Sequence, residues 1–394
     1  MNNRQLFLKY LAQTSPEPIT LEIINARGIF QYASDGKEYV DLISGFNVAN
    51  IGHSHPKVVR AVQDQAAAYM HLIVYGEFVE TPQISYAKLL TENLPPSLNC
   101  VYFTNSGAEA TEGAMKLAKR ATGRSKMIAF HQSYHGSTQG ALSLMGDEYY
   151  KEAFRPLLPD IQHYDYESWE AVEAIDADTA CIVLETVQAE SGVRKPGIAW
   201  IQAIREKCNQ CGALLILDEI QAGFGRTGSL WAFEQYKLVP DILLLGKALG
   251  GGMPLGAFIS AKPLMDSLMS NPVLGHITTF GGHPVSCAAG KAALEVLLQS
   301  GDIARVGVAE EILLSYLKHP LIRKLRTAGL WASLEFENSD LTKRIIHRCI
   351  QNGLITDWFL FAPSCLRIAP PLCISEEALI ASCLKVVRSI EETF

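Results

Sequence analysis

Asp218 and Lys247, 29 positions apart, are the two side chains of this sequence best placed for chemistry. Each follows a short apolar run. Leu214–Leu217 ends in Asp218, and Ile242–Leu245 runs into Gly246-Lys247, with Gly250-Gly251-Gly252 forcing a turn soon after. Runs of this length and composition read as buried parallel strands that share one sheet. In open α/β sheets, ligands bind beyond the carboxyl ends of the strands. A carboxylate and an amine there suit pyridoxal 5′-phosphate. The lysine forms a Schiff base, and the acid keeps the pyridine nitrogen protonated so that the ring accepts electrons.

Four further stretches carry groups that such a site needs. In Thr104–Ala110, TNSGAEA, Gly107 lets a ligand approach the backbone, and a helix N-terminus presents free N–H groups to an anion such as phosphate. Ser106 or Asn105 in that stretch serves equally well as an ordinary helix cap. In Phe130–Thr138, FHQSYHGST, Tyr134 can lie on a flat ring and His135 can orient nearby groups; each also fits as a half-buried loop residue. Glu185 and Glu190 flank the end of another apolar run, where a buried carboxylate needs a partner; both also fit as loop acids. Arg367, just before Pro370-Pro371, can clamp a carboxylate with two parallel hydrogen bonds or take part in a structural ion pair.

The elements that must position these residues alternate. Cys100–Phe103, Met127–Phe130, Cys181–Leu184, Leu214–Leu217, Ile242–Leu245 and Gly256–Ile259 read as strands, and Gly107–Arg120 has helical spacing. Such a rhythm predicts an α/β fold with a mostly parallel sheet covered by helices. Before it come a short helix, an arm broken by Pro16 and Pro18, a hairpin turning at Asp35-Gly36, the loop Ser44–Pro56 and a helix over Val58–Ala68. After Pro284 the pattern changes to a long helix, Ser286–Leu298, a strand near Leu330–Glu335 and a last helix over Glu376–Glu392. We expect an arm, residues 1–55, packing on a smaller α+β domain, 285–394, with a large ligand-binding domain, 56–284, between them.

Composition excludes several classes. With 394 residues, 48% hydrophobic and 19% charged, the chain has a large core, and its net charge of −7 gives no reason to expect nucleic acid or a membrane surface as partner. No apolar stretch approaches the ~18 residues of a membrane span, and the N-terminus lacks a signal peptide's apolar core. Nine scattered cysteines read as reduced cytoplasmic thiols. No metal is expected: Cys208-x-x-Cys211 lies in a helical pattern without a second pair, and His53-x-His55 beside Pro56 reads as a turn.

Together, LDEIQAGFGRTG with Lys247 downstream, NSGAEA, YHG, E-x-x-x-x-E-x-G, TTFGGHP and RIAPP, all in one order, resemble the class III (ω-amino acid) aminotransferases of fold type I, from about Asp35 to Leu372. The resemblance implies that Lys247 holds pyridoxal phosphate as an aldimine and then shuttles the proton. It implies that Asp218 pairs with the pyridine nitrogen, Gln221 bonds the phenolic oxygen and Tyr134 stacks on the ring beside His135. Ser106, Gly107 and Ala108 would bind the phosphate, with Thr279 reaching it from a partner subunit in a homodimer with shared active sites. Arg367 would grip a substrate carboxylate, Glu190 would pair with it and swing away for the second substrate, and Glu185 would lie near the catalytic centre. The implied partners are an amino donor and a keto-acid acceptor such as 2-oxoglutarate.

Some positions depart from the family's usual pattern. Thr186, Ala189 and Ser191 replace Pro, Gly and Gly or Ala; Ser137 stands where Arg commonly follows YHG; Phe46 matches a position where ornithine enzymes use a tyrosine; and Thr14-Ser15-Pro16 lacks an aromatic hydroxyl. These differences point away from free ornithine and leave acetylornithine-like, GABA-like and other ω-amino donors. The alternatives within the fold are a racemase or a decarboxylase. Outside it stand a nucleotide-binding α/β protein and a non-catalytic scaffold, which has no use for a buried Lys247.

Overall fold

The structure, a computed structural model, describes residues 1–393. Phe394, the last residue of the expected C-terminal domain, lies outside the described residues. Helix Asn3–Tyr10 starts at a reciprocal cap between Asn2 and Gln5 and buries no side chain. The chain then forms strands β1 (Ile23–Arg27), β2 (Phe30–Ala33) and β3 (Glu38–Asp41). Gly36, at φ +84°, makes the β2–β3 turn that the Asp35-Gly36 pair predicts.

A seven-stranded sheet fills the middle of the chain: β4 (Cys100–Thr104), β5 (Lys126–Phe130), β6 (Ile161–Tyr164), β7 (Thr179–Glu185), β8 (Leu214–Asp218), β9 (Ile242–Leu245) and β10 (Gly256–Ser260). Their order is β4-β10-β9-β8-β7-β5-β6, parallel throughout except that β10 runs antiparallel to both neighbours. Because side chains alternate along a strand, Met127, Ala129, Val183, Ile216 and Leu244 pack on one face, and Ile128, Phe130, Leu184, Leu217 and Leu245 on the other. Both faces are buried, which explains runs with no polar residue. Helix Gly107–Thr122 covers the first face so closely that a Cβ at Gly113 would sit 2.3 Å from the Phe258 ring. Helix Ile198–Cys211 covers the second with Trp200, Ile201 and Ile204. β6 escaped the sequence reading because it is a four-residue edge strand, IQHY, half of it polar.

Helix Pro284–Ser300 leads into β11 (Lys324–Thr327), β12 (Ala332–Glu335), β13 (Leu354–Ile355), β14 (Asp357–Phe359) and β15 (Ala362–Ile368). Strands β11-β12-β15-β14 make an antiparallel sheet, helix Ser339–Gln351 packs on it, and helix Glu376–Glu391 packs in turn on that helix. β13 instead joins β3 in parallel, Leu354 opposite Val40, so the N-terminal hairpin and the C-terminal part share a sheet. Among the described residues no helix is long and apolar enough to cross a membrane, and no three His, Cys, Asp or Glu side chains gather as a metal site.

Candidate active site

Parallel register sets Glu185 on β7 opposite Asp218 on β8, and Asp218 opposite Leu244 on β9. Lys247 follows three residues after Leu244, so the two acids and the amine meet at one edge of the sheet. Lys247 has φ +49°, a left-handed conformation that costs a non-glycine residue free energy and is concentrated at functional sites. A cavity of about 480 Å³ opens there. Of the residues singled out from the sequence, Ser106, Gly107, Ala108, Tyr134, His135, Glu185, Asp218, Gln221 and Lys247 line it. Glu190 and Arg367 adjoin it through Gln221, and Phe46 lies against Arg367. Thr279 does not line it and is exposed on the surface of this chain.

The floor of the cavity is charged and desolvated. Burial pushes the Lys247 amine below its ordinary pKa, against the pull of Asp218 and Glu190. His135 Nδ1 lies 2.7 Å from Asp218 Oδ2, and the Ile220 N–H donates to Oδ1 at 2.9 Å. Burial opposes a charged His135, but the hydrogen bond and charge of Asp218 outweigh it and raise the imidazole's pKa. His135 Nε2 is buried with no partner of its own. Burial also raises Glu185, to about 8, against the His135 charge and the N–H groups of Ala189 and Tyr134, which donate to it at 2.9 and 3.1 Å.

One end of the cavity is a helix start. Ser106 caps helix Gly107–Thr122 by accepting from the Glu109 N–H at 3.2 Å. Gly107 and Ala108, in the first turn where helix N–H groups have no partner within the helix, line the cavity, a setting that suits an anion. Gly136 closes over this turn; a Cβ there would lie 2.5 Å from that of Ala108. An amine, a buried acid and a helix start thus line one cavity, a set of groups that fits pyridoxal phosphate.

At the other end, Arg367 Nη2 donates to Glu190 Oε2 at 2.7 Å, both residues being largely buried. Gln221 Nε2 donates to Glu190 Oε1 at 3.0 Å, and Arg367 Nη1 reaches Gln221 Oε1 at 3.4 Å. The guanidinium carbon lies 4.2 Å from the Phe359 ring centroid and 5.0 Å from that of Phe46. Burial alone would raise Glu190; Arg367, the Leu360 N–H and Gln221 together hold it below its ordinary value.

Two residues inside the quoted motifs were passed over in the sequence. Glu219 is buried and accepts from the Phe233 and Ala232 N–H groups at 2.6 and 2.8 Å and from Thr186 Oγ1 at 3.0 Å; burial pushes it up to about 7. Arg226 is buried with donors on Leu330 O, Pro370 O, Asn50 Oδ1 and Ser44 Oγ, and burial pulls it down to about 9. Glu219 ties the ends of β7 and β8 to the segment after Trp231. Arg226 ties the Phe46 loop to the strand that carries Arg367. A charged residue within a glycine-rich motif was the available signal.

Comparison with known proteins places this geometry. The family model for aminotransferase class III matches residues 11–390. An acetylornithine aminotransferase of Methanopyrus kandleri is 38% identical over 386 residues, 96% of each chain. An ornithine aminotransferase 1 of Staphylococcus aureus is 35% identical over 409 residues, covering 100% of both. The solved ornithine aminotransferase of Toxoplasma gondii, with pyridoxal phosphate in partial occupancy at its active site, superposes with a TM-score of 0.91 at 28% identity, over 99% of this chain and 93% of that one. A match that runs nearly from end to end, on a site built for this cofactor, decides the family: the chain belongs to the pyridoxal-phosphate-dependent class-III aminotransferases.

Proposed function

We propose that the enzyme moves an amino group from an ω-amino donor of the acetylornithine or GABA type to a keto acid such as 2-oxoglutarate. The observation that carries this reading is the Glu190–Arg367 pair closed over Gln221. With the pair closed, the far end of the site has no free cation and accepts an ω-amine. With Glu190 swung away, Arg367 grips the second carboxylate of glutamate or 2-oxoglutarate.

Pyridoxal phosphate, when bound, supplies an electron sink that acidifies the C–H beside the substrate amine. The remaining work belongs to side chains. Lys247 Nζ, its pKa lowered by burial, holds the cofactor and then takes and returns the substrate proton as a neutral base. Asp218 would face the ring nitrogen of the bound cofactor, and His135, hydrogen-bonded to Oδ2, holds that carboxylate in place. Gln221 would donate toward the ring's phenolic oxygen, Tyr134 would cover the ring, and Ser106, Gly107 and Ala108, which line the same cavity, would hold the phosphate. Glu185, with its raised pKa, accepts from the Tyr134 N–H and so fixes that backbone at the cavity. Phe46 walls the substrate side against Arg367.

The assembly we propose is a homodimer in which Thr279 of a second copy completes the phosphate site. Its support is that Met70, Phe78, Val79, Ile277 and Phe280 are exposed apolar side chains on two segments that meet beside Thr279, at the His71–Phe280 ring contact and in a pocket lined by Val74, Tyr75, Thr278 and Gly281. Within the chain we propose an arm of residues 1–55, a cofactor-binding domain of 56–284 and a smaller domain from 285 onward. The setting we propose is cytoplasmic, in keeping with nine free thiols.

A donor screen with 2-oxoglutarate and pyruvate as acceptors tests the reading. We expect turnover with N-acetylornithine or GABA-like amines, and a Glu190→Ala enzyme that favours glutamate over the ω-amine. An unchanged balance between the two half-reactions in that variant refutes the gate.

A further inference from the structure

Glu190 is held by more than its ion pair. Its Oε2 also accepts the Leu360 N–H at 3.0 Å, and its backbone oxygen accepts the Phe361 N–H at 3.0 Å. Both donors sit in the turn between β14 and β15. That turn is pinned from its far side by Tyr150, whose hydroxyl donates to Leu360 O at 3.0 Å. The Tyr150 ring also meets the Phe361 ring edge to face, with centroids 5.4 Å apart.

Leu360 O and the Phe361 N–H belong to one peptide unit and point in opposite directions across it. That single planar group therefore bridges Tyr150 to Glu190. Turning the plane breaks both bonds and shifts the Leu360 N–H that holds the carboxylate. Tyr150 is itself fixed in place. Asp147 accepts from the Tyr149 N–H at 3.0 Å, and Lys151 Nζ donates to Met145 O at 2.7 Å.

We propose that Tyr150 is a specificity-determining positioning residue: by locking the Leu360–Phe361 peptide it holds Glu190 against Arg367, and so sets how readily Arg367 is released to bind a dicarboxylate. The inference rests on the reading of the Glu190–Arg367 pair as a gate. Tyr150 touches neither cofactor nor reacting atoms. It acts on the partition between two substrate classes, and its removal shifts them in opposite directions. Loss of this one part-buried hydrogen bond corresponds to about a three- to tenfold change in that partition.

The test uses the cofactor-loaded enzyme and Tyr150→Phe, which deletes the hydroxyl and keeps the ring. Glutarate, a dicarboxylate with no amine or keto group, serves as the probe, its affinity measured by calorimetry. We expect glutarate to bind about three- to tenfold tighter in Tyr150→Phe, with KM for 2-oxoglutarate falling and KM for the ω-amine rising. Glu190→Ala tightens glutarate further, and adding Tyr150→Phe to it has no added effect. If glutarate binding is unchanged in Tyr150→Phe but tightened in Glu190→Ala, the role of Tyr150 is overturned and the gate stands. An equal effect of Tyr150→Phe with and without Glu190 also overturns it, since the hydroxyl then acts by another route. If Glu190→Ala leaves glutarate binding unchanged, the gate itself fails and this inference falls with it.

Discussion

His135 and Asp218 form a buried pair 2.7 Å apart, and the imidazole leaves its second nitrogen without a partner. The two residues are 83 positions apart and come from different strand ends. Their contact makes the acid's orientation dependent on the loop that also carries Tyr134. Replacing Asp218 by Asn keeps the shape and removes the charge. We expect kcat to fall by roughly 10²- to 10³-fold, the scale of losing one preorganised electrostatic group. Single-turnover rates with glutamate, measured on protein that retains cofactor, check this.

Lys247→Ala is expected to fold and to bind pyridoxal phosphate without fixing it covalently. Borohydride treatment followed by mass measurement should add the cofactor to the native chain and not to the variant. Turnover should drop by roughly 10⁴-fold, the upper range for loss of a general base.

Arg367→Lys replaces a forked, stacked guanidinium by a point charge. The lysine cannot bridge Glu190 and Gln221 together or lie flat on Phe359. We expect KM for 2-oxoglutarate to rise by about ten- to a hundredfold, the equivalent of a charge-assisted hydrogen bond of about 1.5–3 kcal/mol. Initial-rate measurements against both substrates separate this from a general loss, because the ω-amine KM should move far less.

Glu219 makes the stability of the protein depend on pH in a definable sense. Its folded-state pKa, about 7, lies above that of an unfolded glutamate, so the native state binds the extra proton. The stability it adds is present in full below the unfolded carboxylate range and is lost as pH rises through about 7. Glu219→Gln cannot titrate. Melting profiles from pH 5 to 8 should show native protein losing stability relative to this variant as pH rises, by on the order of 3 kcal/mol. A constant difference across that range would refute the assignment.

Arg226→Ala removes the donor from four buried acceptors at once. We expect a loss of about 3–5 kcal/mol, the cost of breaking a buried charged network, and a matching fall in melting temperature. Arg226→Lys should recover only part of it, because one ammonium cannot span Leu330, Pro370, Asn50 and Ser44.

The parts of this protein that could be read in advance are those encoded locally. β8 and β9 announce themselves as unbroken apolar runs, and Asp218 and Lys247 follow directly from where those runs stop. The β2–β3 hairpin is written in two turn residues. What stayed hidden depends on partners far away in sequence. Arg226 meets residues 104 to 182 positions distant, and Tyr150 meets Leu360 across 210 positions. Short polar edge strands such as β6 lack a periodic signal to stand out from loops. Thr279 falls outside the cavity of one chain, so its proposed role depends on an interface that the single chain does not contain.

The two-residue strand Leu354–Ile355 has a consequence for biosynthesis. The hairpin it completes leaves the ribosome about 300 residues earlier, with the Val40 edge still bare. Until Leu354 and Ile355 have emerged, that edge is open to mispairing with neighbouring nascent chains. Removing the last forty or so residues would leave the hairpin permanently incomplete, and such fragments should be found in the aggregated fraction and bound by chaperones.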